Sequence, residues 1–372
     1  MAEPTRLRIL ADDLTGALDS AAAFATPRCP IPVLWHPVRR LPAVAAIDIG
    51  TREREGDDAV RRQDRLADWL LEGAPAFKKI DSLMRGNWAT ELAALSRRMA
   101  GWRLVVAPAF PFQGRVTRAG CQWQIGPAQP LGGDIAATWR AAGLVNADIH
   151  VHDAETDADL DAIVAREMRD GGRVLWVGTG GLAAALARAR PASPPVFEPP
   201  LDARMRAPLL ALIGSHHPVI QEQIDHAAAP DPRRHIRLSG APSDIDAVHG
   251  RLARGLSCIV TVAFEGARAA AAAVIAERFS QLLVHCPPPG TLFVSGGETL
   301  RDVAQATGAD SLAVEGAREP GLAVSHLRGG RFEGVHVVSK SGGFGRPDLL
   351  RVLFDEASAR ARTTPLRMYD NF

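Results

Sequence analysis

Lysine is almost absent from this 372-residue chain: of 43 basic residues only Lys78, Lys79 and Lys340 are lysines, and the rest are arginines. Asparagine is as scarce, occurring only at Asn87, Asn146 and Asn371. Where the chain has drifted toward arginine for any plain positive charge, a retained lysine marks a place that needs a compact ammonium, such as a phosphate contact. Chance survival is the competing reading. Cysteine is sparse and scattered: Cys29, Cys121, Cys258 and Cys286 form no CxxC pair. That argues against a thiolate zinc site and for buried free thiols. Net charge is nearly nil, with 43 basic against 42 acidic residues, so no global field favours nucleic acid or an anionic membrane. No apolar run approaches the roughly 18 residues of a membrane span. The start, MAEPTRLRILADD, has no apolar signal core. A soluble, cytoplasmic protein with no nucleic-acid or membrane partner is expected. Neither GxxxxGK[ST] nor GxGxxG occurs, which excludes the two commonest phosphate-binding loops.

What is present is globular: 47% hydrophobic and 23% charged residues. The length suggests about two domains of roughly 150 residues. Strand-like segments alternate with helical ones. RLRIL (6–10), AVAAIDI (43–49), PAFKKI, WRLVVAP (102–108) and RVLWVG read as strands. Helices are expected after the first strand, over about 57–72, in NWATELAALSRRMA, in DADLDAIVAREMRD and in GLAAALARA. Residues 109–134 read as an irregular loop or hairpin. PASPPVFEPP (191–200), with five prolines, cannot lie inside a helix or a central strand. It divides the chain into an expected first domain, 1–190, and a second, 201–372. In the second, LLALIGS, HIRLS, SCIVTVAF, TLFVSG, SLAVEG, LAVSHLR and HVVSK again alternate with helices. The fold class is α/β: two domains, each a mostly parallel sheet flanked by helices.

Several strand ends carry chemistry. Asp12 and Asp13 follow the first strand, at the rim where open α/β sheets bind ligands. Adjacent carboxylates there suit sugar hydroxyls, a metal or a general base; a helix cap is the plainer alternative. FKKIDSLMRGN (77–87) gathers Lys78, Lys79, Asp81, Ser82, Arg85 and Asn87. Strand alternation puts the two lysines on opposite faces, so one faces a site and the other does not. Lysine, arginine and asparagine together suit a small hydroxylated anion. In the loop PAFPFQGRVTRAG (108–120), Gln113, Arg115 and Thr117 are within reach of a ligand bound nearby. IGSHHP (213–218) offers Ser215 and backbone N–H groups to a phosphate; its adjacent His216 and His217 point different ways and make a poor metal pair. VSGGETL (294–300) and SKSGGFG (339–345) open with paired glycines that let backbone approach a ligand, and the second adds Lys340. Together they favour a nucleotide site. VGTGGLAAALA (177–187) lacks the spaced third glycine and reads as a tight strand-to-helix turn.

ADDLTGALD, KKIDSLMRGN, APAFPFQGRVTRAG, SGGET and SKSGGFG, in this order, resemble the four-carbon acid sugar kinases, which phosphorylate tetronates and oxo-tetronates. The resemblance runs from about residue 8 to about 355. It implies an N-terminal sugar-acid domain, a C-terminal ATP domain and an active site in the cleft between them. By motif, Asp12, Asp13, Lys79, Asp81 and Arg85 would line the acid site. Ser215, Gly296–Thr299 (with Gly297 and Glu298) and Gly342–Gly343 would hold ATP. Leu83 stands where the family usually has threonine, and 122–139 departs from the family pattern, so the substrate half is where this chain differs. The implied reaction moves phosphate from ATP, with Mg²⁺ bridging phosphates through few protein ligands, to the terminal hydroxyl of a four-carbon acid. Arg85 and Lys79 would hold the acid's carboxylate, with Asn87 and Arg115 as further contacts. Asp13 would be general base, with Asp81 or Asp12 as alternatives, Lys340 would take phosphate charge, and 191–200 would act as a hinge. A homodimer is the default assembly. The rivals are a kinase of another small hydroxy acid, a non-catalytic sugar-acid-binding protein, and an aldolase or decarboxylase with Lys79 as a Schiff base.

Overall fold

Apolar runs of four to six residues, buried on both sides, are what a parallel sheet between helical layers requires. The computed structural model describes residues 6–36, 40–126, 129–145, 147–190, 205–264 and 268–363. The element order begins β1 (Arg8–Ala11), α1 (Leu14–Ala22), β2 (Ile31–Leu34), β3 (Ala45–Asp48), α2 (Gly56–Asp64), α3 (Ala67–Leu71), β4 (Ala76–Lys79), α4 (Trp88–Ser96) and β5 (Trp102–Ala107). A small antiparallel sheet follows, of β6 (Arg115–Arg118), β7 (Cys121–Gln124) and β8 (Gln129–Pro130). Then come α5 (Ile135–Ala141), β9 (Ala147–Val151), α6 (Asp157–Arg169), β10 (Arg173–Gly178) and α7 (Gly180–Arg188). The later part runs β11 (Leu209–Ile213), α8 (Pro218–Ala228), β12 (His235–Leu238), α9 (Pro242–Ala253), β13 (Cys258–Val262), α10 (Arg268–Leu283), β14 (Thr291–Ser295), α11 (Gly297–Thr307), β15 (Ser311–Glu319), β16 (Leu322–Arg328), β17 (His336–Lys340) and α12 (Leu349–Thr363). No helix among the described residues is long and apolar enough to cross a membrane.

Internal packing divides the chain into two units. Among the described residues the first holds those up to 190 together with Ser311–Ala323; the second holds those from 205 to Asp310 and from Val324 onward. The expected second domain, 201–372, therefore gives up Ser311–Ala323. The reason is backbone pairing: β15 runs antiparallel to β2, with Leu312 opposite Val33 and Val314 opposite Ile31. The proline-rich segment 191–200, expected as linker and hinge, lies outside the described residues.

In the first unit the strand order is β15-β2-β3-β1-β4-β10-β5-β9. β1 pairs in parallel with β3 on one side and β4 on the other. The chain thus steps from β1 out to β2 and β3, then crosses to β4, which makes the carboxyl end of β1 a topological switch point. In the second unit the order is β12-β13-β11-β14-β17-β16, with β11 between β13 and β14. The carboxyl ends of β11, β14 and β17 stand side by side at the equivalent switch.

Several elements depart from the sequence reading. The helix expected over 57–72 breaks into α2 and α3 at Arg65–Leu66. β2 and β9 are additional strands and α5 an additional helix, whereas the β6–β7 hairpin lies within 109–134, where a loop or hairpin is expected. The VGTGG turn is structural: Thr179 Oγ1 accepts from Gly181 N–H and donates to the Ala109 carbonyl.

Candidate active site

The loops leaving β1, β3 and β4 bring three carboxylates and three cations together. Arg52, four residues past β3, is the centre. Its Nε donates to Asp12 Oδ2 at 2.8 Å, and its Nη2 donates to Asp12 Oδ1 at 3.0 Å and Asp13 Oδ1 at 2.6 Å. The same Nη2 lies 3.5 Å from Asp81 Oδ1. Asp13 also caps α1 by accepting from Gly16 N–H at 3.0 Å, so it serves as helix cap and as charge partner at once. A Cβ on Gly16 would come within 2.5 Å of Asp13 Oδ1 and 2.8 Å of Lys79 Nζ. Glycine at 16 is what lets that carboxylate and that ammonium approach one another.

Burial pushes the Asp12 carboxyl above its ordinary range; Arg52 opposes the rise and Asp13 adds to it. Burial acts on Asp13 in the same sense, but Arg52 and Lys79 outweigh it and hold the group below the usual range. For Asp81 burial is likewise outweighed, by the Arg85 hydrogen bonds and by Arg52, and the group lies well below. Asp19, nearly two turns further along α1, is pushed up to about 6 by burial, with Lys79 opposing. Its Oδ1 accepts from Gly321 N–H.

The two adjacent lysines separate as alternation requires. Lys78 is fully buried and forms an ion pair with Glu91 at 2.7 Å. Lys79 turns to the site side, where Nζ donates to the Ile80 carbonyl at 2.8 Å. Asp81 shapes its own loop by accepting from the N–H groups of Leu83 and Arg85. Met84 in that loop takes a left-handed φ of 58°, a strained conformation of the kind that clusters at functional loops.

Three further predicted site residues lie at or beside these loops, each with neighbours of its own. Arg85 turns its fork onto Asp81, with Nε at 2.7 Å and Nη2 at 3.0 Å, although its side chain remains 55% exposed. Asn87 spends both amide hydrogens on the carbonyls of Thr51 and Arg54, each at 2.8 Å, so it fixes the loop that carries Arg52. Arg115 is half-buried; burial holds its guanidinium below the usual range, and Asp81 and Arg85 lie within electrostatic reach. Arg52 itself is the residue missed in the sequence. Its only signal is its place just past a strand end, and in a chain so rich in arginine the residue type carries no weight.

In the second unit the glycine turns crowd together. A Cβ at Gly214 would strike Thr299 Oγ1, and one at Gly342 would strike Ser215 Oγ. One at Gly343 would come 3.2 Å from His217 Nε2. Ser215, Thr299, Gly342 and Gly343 thus share one small space. Gly296 has φ 113° and leaves the start of α11, at Gly297 and Glu298, without a side-chain cap. His217 is occupied as the cap of α8, its Nδ1 accepting from Val219 N–H. Lys340 lies beneath the turn: it is 1% exposed, and Nζ donates to the carbonyls of Ser341 and Gly342. It braces the turn rather than projecting from it.

Residues 7–132 match a family model described as a sugar-binding N-terminal domain, and residues 210–350 one described as a nucleotide-binding C-terminal domain. The D-threonate kinase of Cupriavidus necator is 30% identical, with 91% of this chain and 94% of that protein aligned. Those of Bordetella bronchiseptica (27% identical; 92% and 95% aligned) and Salmonella typhimurium (25%; 93% and 96%) are similar along the same length. Among solved structures, a Salmonella typhimurium LT2 protein described as a tRNA synthase is 20% identical with TM-score 0.69, covering 95% of this chain and 99% of that one. A Haemophilus influenzae protein is 18% identical with TM-score 0.63 and the same coverage; at such identities these two share the fold alone. With both domain models matched in order and a relative 30% identical over nearly its full length, the chain belongs to the four-carbon acid sugar kinase family.

Proposed function

We propose that the chain is an ATP-dependent kinase that phosphorylates the terminal, 4-hydroxyl of a four-carbon sugar acid, with D-threonate, the acid in its relatives' names, as the first candidate. The observation that carries this reading is the Arg52-centred cluster at the switch point of the sugar-binding unit. Carboxylates that accept from hydroxyls, beside cations that pair with a carboxylate, match a small polyhydroxy acid at both ends.

Asp13 is the base of choice. Its side chain is 19% exposed against 7% for Asp12 and 8% for Asp81, so it is the carboxylate of the three best able to meet a substrate hydroxyl. A base must come within about 3 Å of the proton it takes. Arg85, the most exposed cation of the cluster, is suited to exchange part of its hold on Asp81 for the acid's carboxylate, with Lys79 and Arg115 adding charge. On the nucleotide side, Ser215, the open N–H groups at Gly297–Thr299 and the turn at Gly342–Gly343 are suited to phosphate oxygens, and glycine leaves the space that a Cβ would fill. Lys340 keeps that turn in shape. The side-chain donors there, Ser215, Thr299 and Glu298, are all oxygens, which fits Mg²⁺ better than a softer ion. Bound with ATP, Mg²⁺ supplies charge neutralisation on the phosphates. The same reading takes the enzyme as cytoplasmic and as a homodimer.

The test is ³¹P NMR of the product formed from ATP, Mg²⁺ and D-threonate. A phosphomonoester signal split into a triplet by the two C4 methylene protons is expected. A doublet would place the phosphate on an internal carbon, and inorganic phosphate alone would leave only hydrolysis. With Asp13→Asn, kcat should fall by roughly 10²-fold or more while the KM for ATP stays within a few-fold.

A further inference from the structure

The far edge of the first unit carries a cluster that the kinase reading leaves unused. Strand alternation puts Asp148, His150 and the following His152 on one face of the β9 segment, and α6 covers that face with Glu167. His152 continues the edge ladder by donating its N–H to the Val106 carbonyl, so both imidazoles stand on a rigid backbone. His150 Nδ1 lies 3.3 Å and His152 Nε2 2.9 Å from the same oxygen, Glu167 Oε1. One ligand atom from each of these three residues falls within 4.8 Å of the others. A tetrahedral ion with bonds of about 2.0–2.1 Å holds its ligand atoms roughly 3.3–3.5 Å apart, so small adjustments suffice.

Two details favour an ion over a plain hydrogen-bond network. His152 Nε2 is a buried atom, and its contact with Glu167 misses hydrogen-bond alignment despite its length. The outer contacts are those that orient metal ligands: Asp148 Oδ2 lies 3.1 Å from His150 Nε2, on the far side of that ring, and Arg103 Nη1 donates to the other Glu167 oxygen at 3.0 Å. Arg103 pairs with Glu167 Oε2, which leaves Oε1 facing both imidazoles, with Arg166 Nε 3.7 Å away at the rim.

We propose that His150, His152 and Glu167 bind one divalent transition-metal ion of the zinc class, oriented by Asp148 and Arg103. Two imidazoles and one carboxylate suit Zn²⁺, Co²⁺ or Ni²⁺ and not the hard ion of phosphoryl transfer. The site lies three strands from β4 in the sheet order, so its role is to pin β9 to α6, apart from catalysis. Arg166 Nη2 stands 2.7 Å from His152 Nδ1. Metal on Nε2 leaves the proton of the neutral ring on Nδ1, so Arg166, more than half exposed, must turn away.

The test uses the full chain without a histidine tag, stripped of metal by a chelator, then titrated with Co²⁺ while the visible d–d bands are read. One saturable equivalent displaced by Zn²⁺ is expected, with Zn²⁺ also raising Tm. The double variant His150→Ala/His152→Ala should bind at least about tenfold more weakly and lose the Tm shift. Glu167→Gln, a smaller change, should weaken binding in the same sense. Arg166→Gln should bind as tightly as the parent or more so. Absence of saturable Co²⁺ binding by the parent chain would overturn the proposal whatever the variants do, and so would undiminished binding by a folded double variant.

Discussion

Each of the three lysines is buried, and each is fixed by its surroundings. Lys78 is sealed against Glu91 in the core of the first unit, where removing one partner leaves a lone buried charge. Lys78→Met should cost about 3–5 kcal/mol of unfolding free energy, read by urea denaturation; a loss under 1 kcal/mol would mean Glu91 finds another partner. Asp19 makes the opposite case, a carboxylate disfavoured by its burial. Because its folded-state group titrates near 6, above the ordinary carboxylate, the folded chain binds that proton more tightly than the unfolded chain. The penalty is full above pH about 6, and stability is recovered as pH falls toward 4. Asp19→Asn keeps an acceptor for Gly321 N–H and removes the penalty. It should be more stable than the parent at pH 7.5 by on the order of 2 kcal/mol, with the gap closing near pH 4; an equal gap at both pH values would rule this out. Burial also pushes the Cys258 and Cys286 thiols up to about 12, whereas Cys29 is exposed and Cys121 partly so. The expectation of buried free thiols thus holds for two of the four.

At the scale of elements, the candidate site residues sit where an apolar strand stops. Gly214, Gly296 and Gly342 follow β11, β14 and β17, and each makes room for a neighbour's hydroxyl. Gly342→Ala drives a methyl into Ser215 Oγ and should raise the KM for ATP at least tenfold while leaving acid binding intact; weakened acid binding with normal ATP binding would reverse the assignment of the two units. These turns are legible because glycine set directly after an apolar run gives up side-chain packing in return for a close backbone approach. The charged ends of β1 and β4 are legible for a related reason: Asp12–Asp13 and Lys78–Lys79 are costly where burial begins. Other features leave no local trace. β2 is four residues long and contains Pro32, which argues against a strand. β9 reads ADIHV, too polar and too short to stand out. The break between α2 and α3 has neither glycine nor proline to announce it. The bonds of Asn87 reach Thr51 and Arg54, more than thirty residues away, and no spacing along the chain shows that. Lys340 is legible as unusual, but its position beneath the turn depends on backbone carbonyls that only the fold brings to it.

At the scale of the molecule, two α/β units use one plan with different chemistry. In each the candidate site loops leave adjacent parallel strands at the point where the strand order reverses: β3, β1 and β4 in the first, β11, β14 and β17 in the second. The first presents alternating charges suited to a hydroxylated acid, the second small residues and open amides suited to phosphate. β15, late in sequence but packed with the first unit, makes the units discontinuous in the chain, so truncation near residue 200 would remove an edge strand from the sugar-binding half. The most direct measurement is ADP release from ATP and Mg²⁺ with D-threonate, beside L-threonate, the erythronates and their 2- and 3-oxo forms. Saturable ADP release that depends on one of these acids, and none without acid, is expected. A flat response across all of them from a folded chain that still binds ATP would contradict the assignment of a four-carbon acid as substrate.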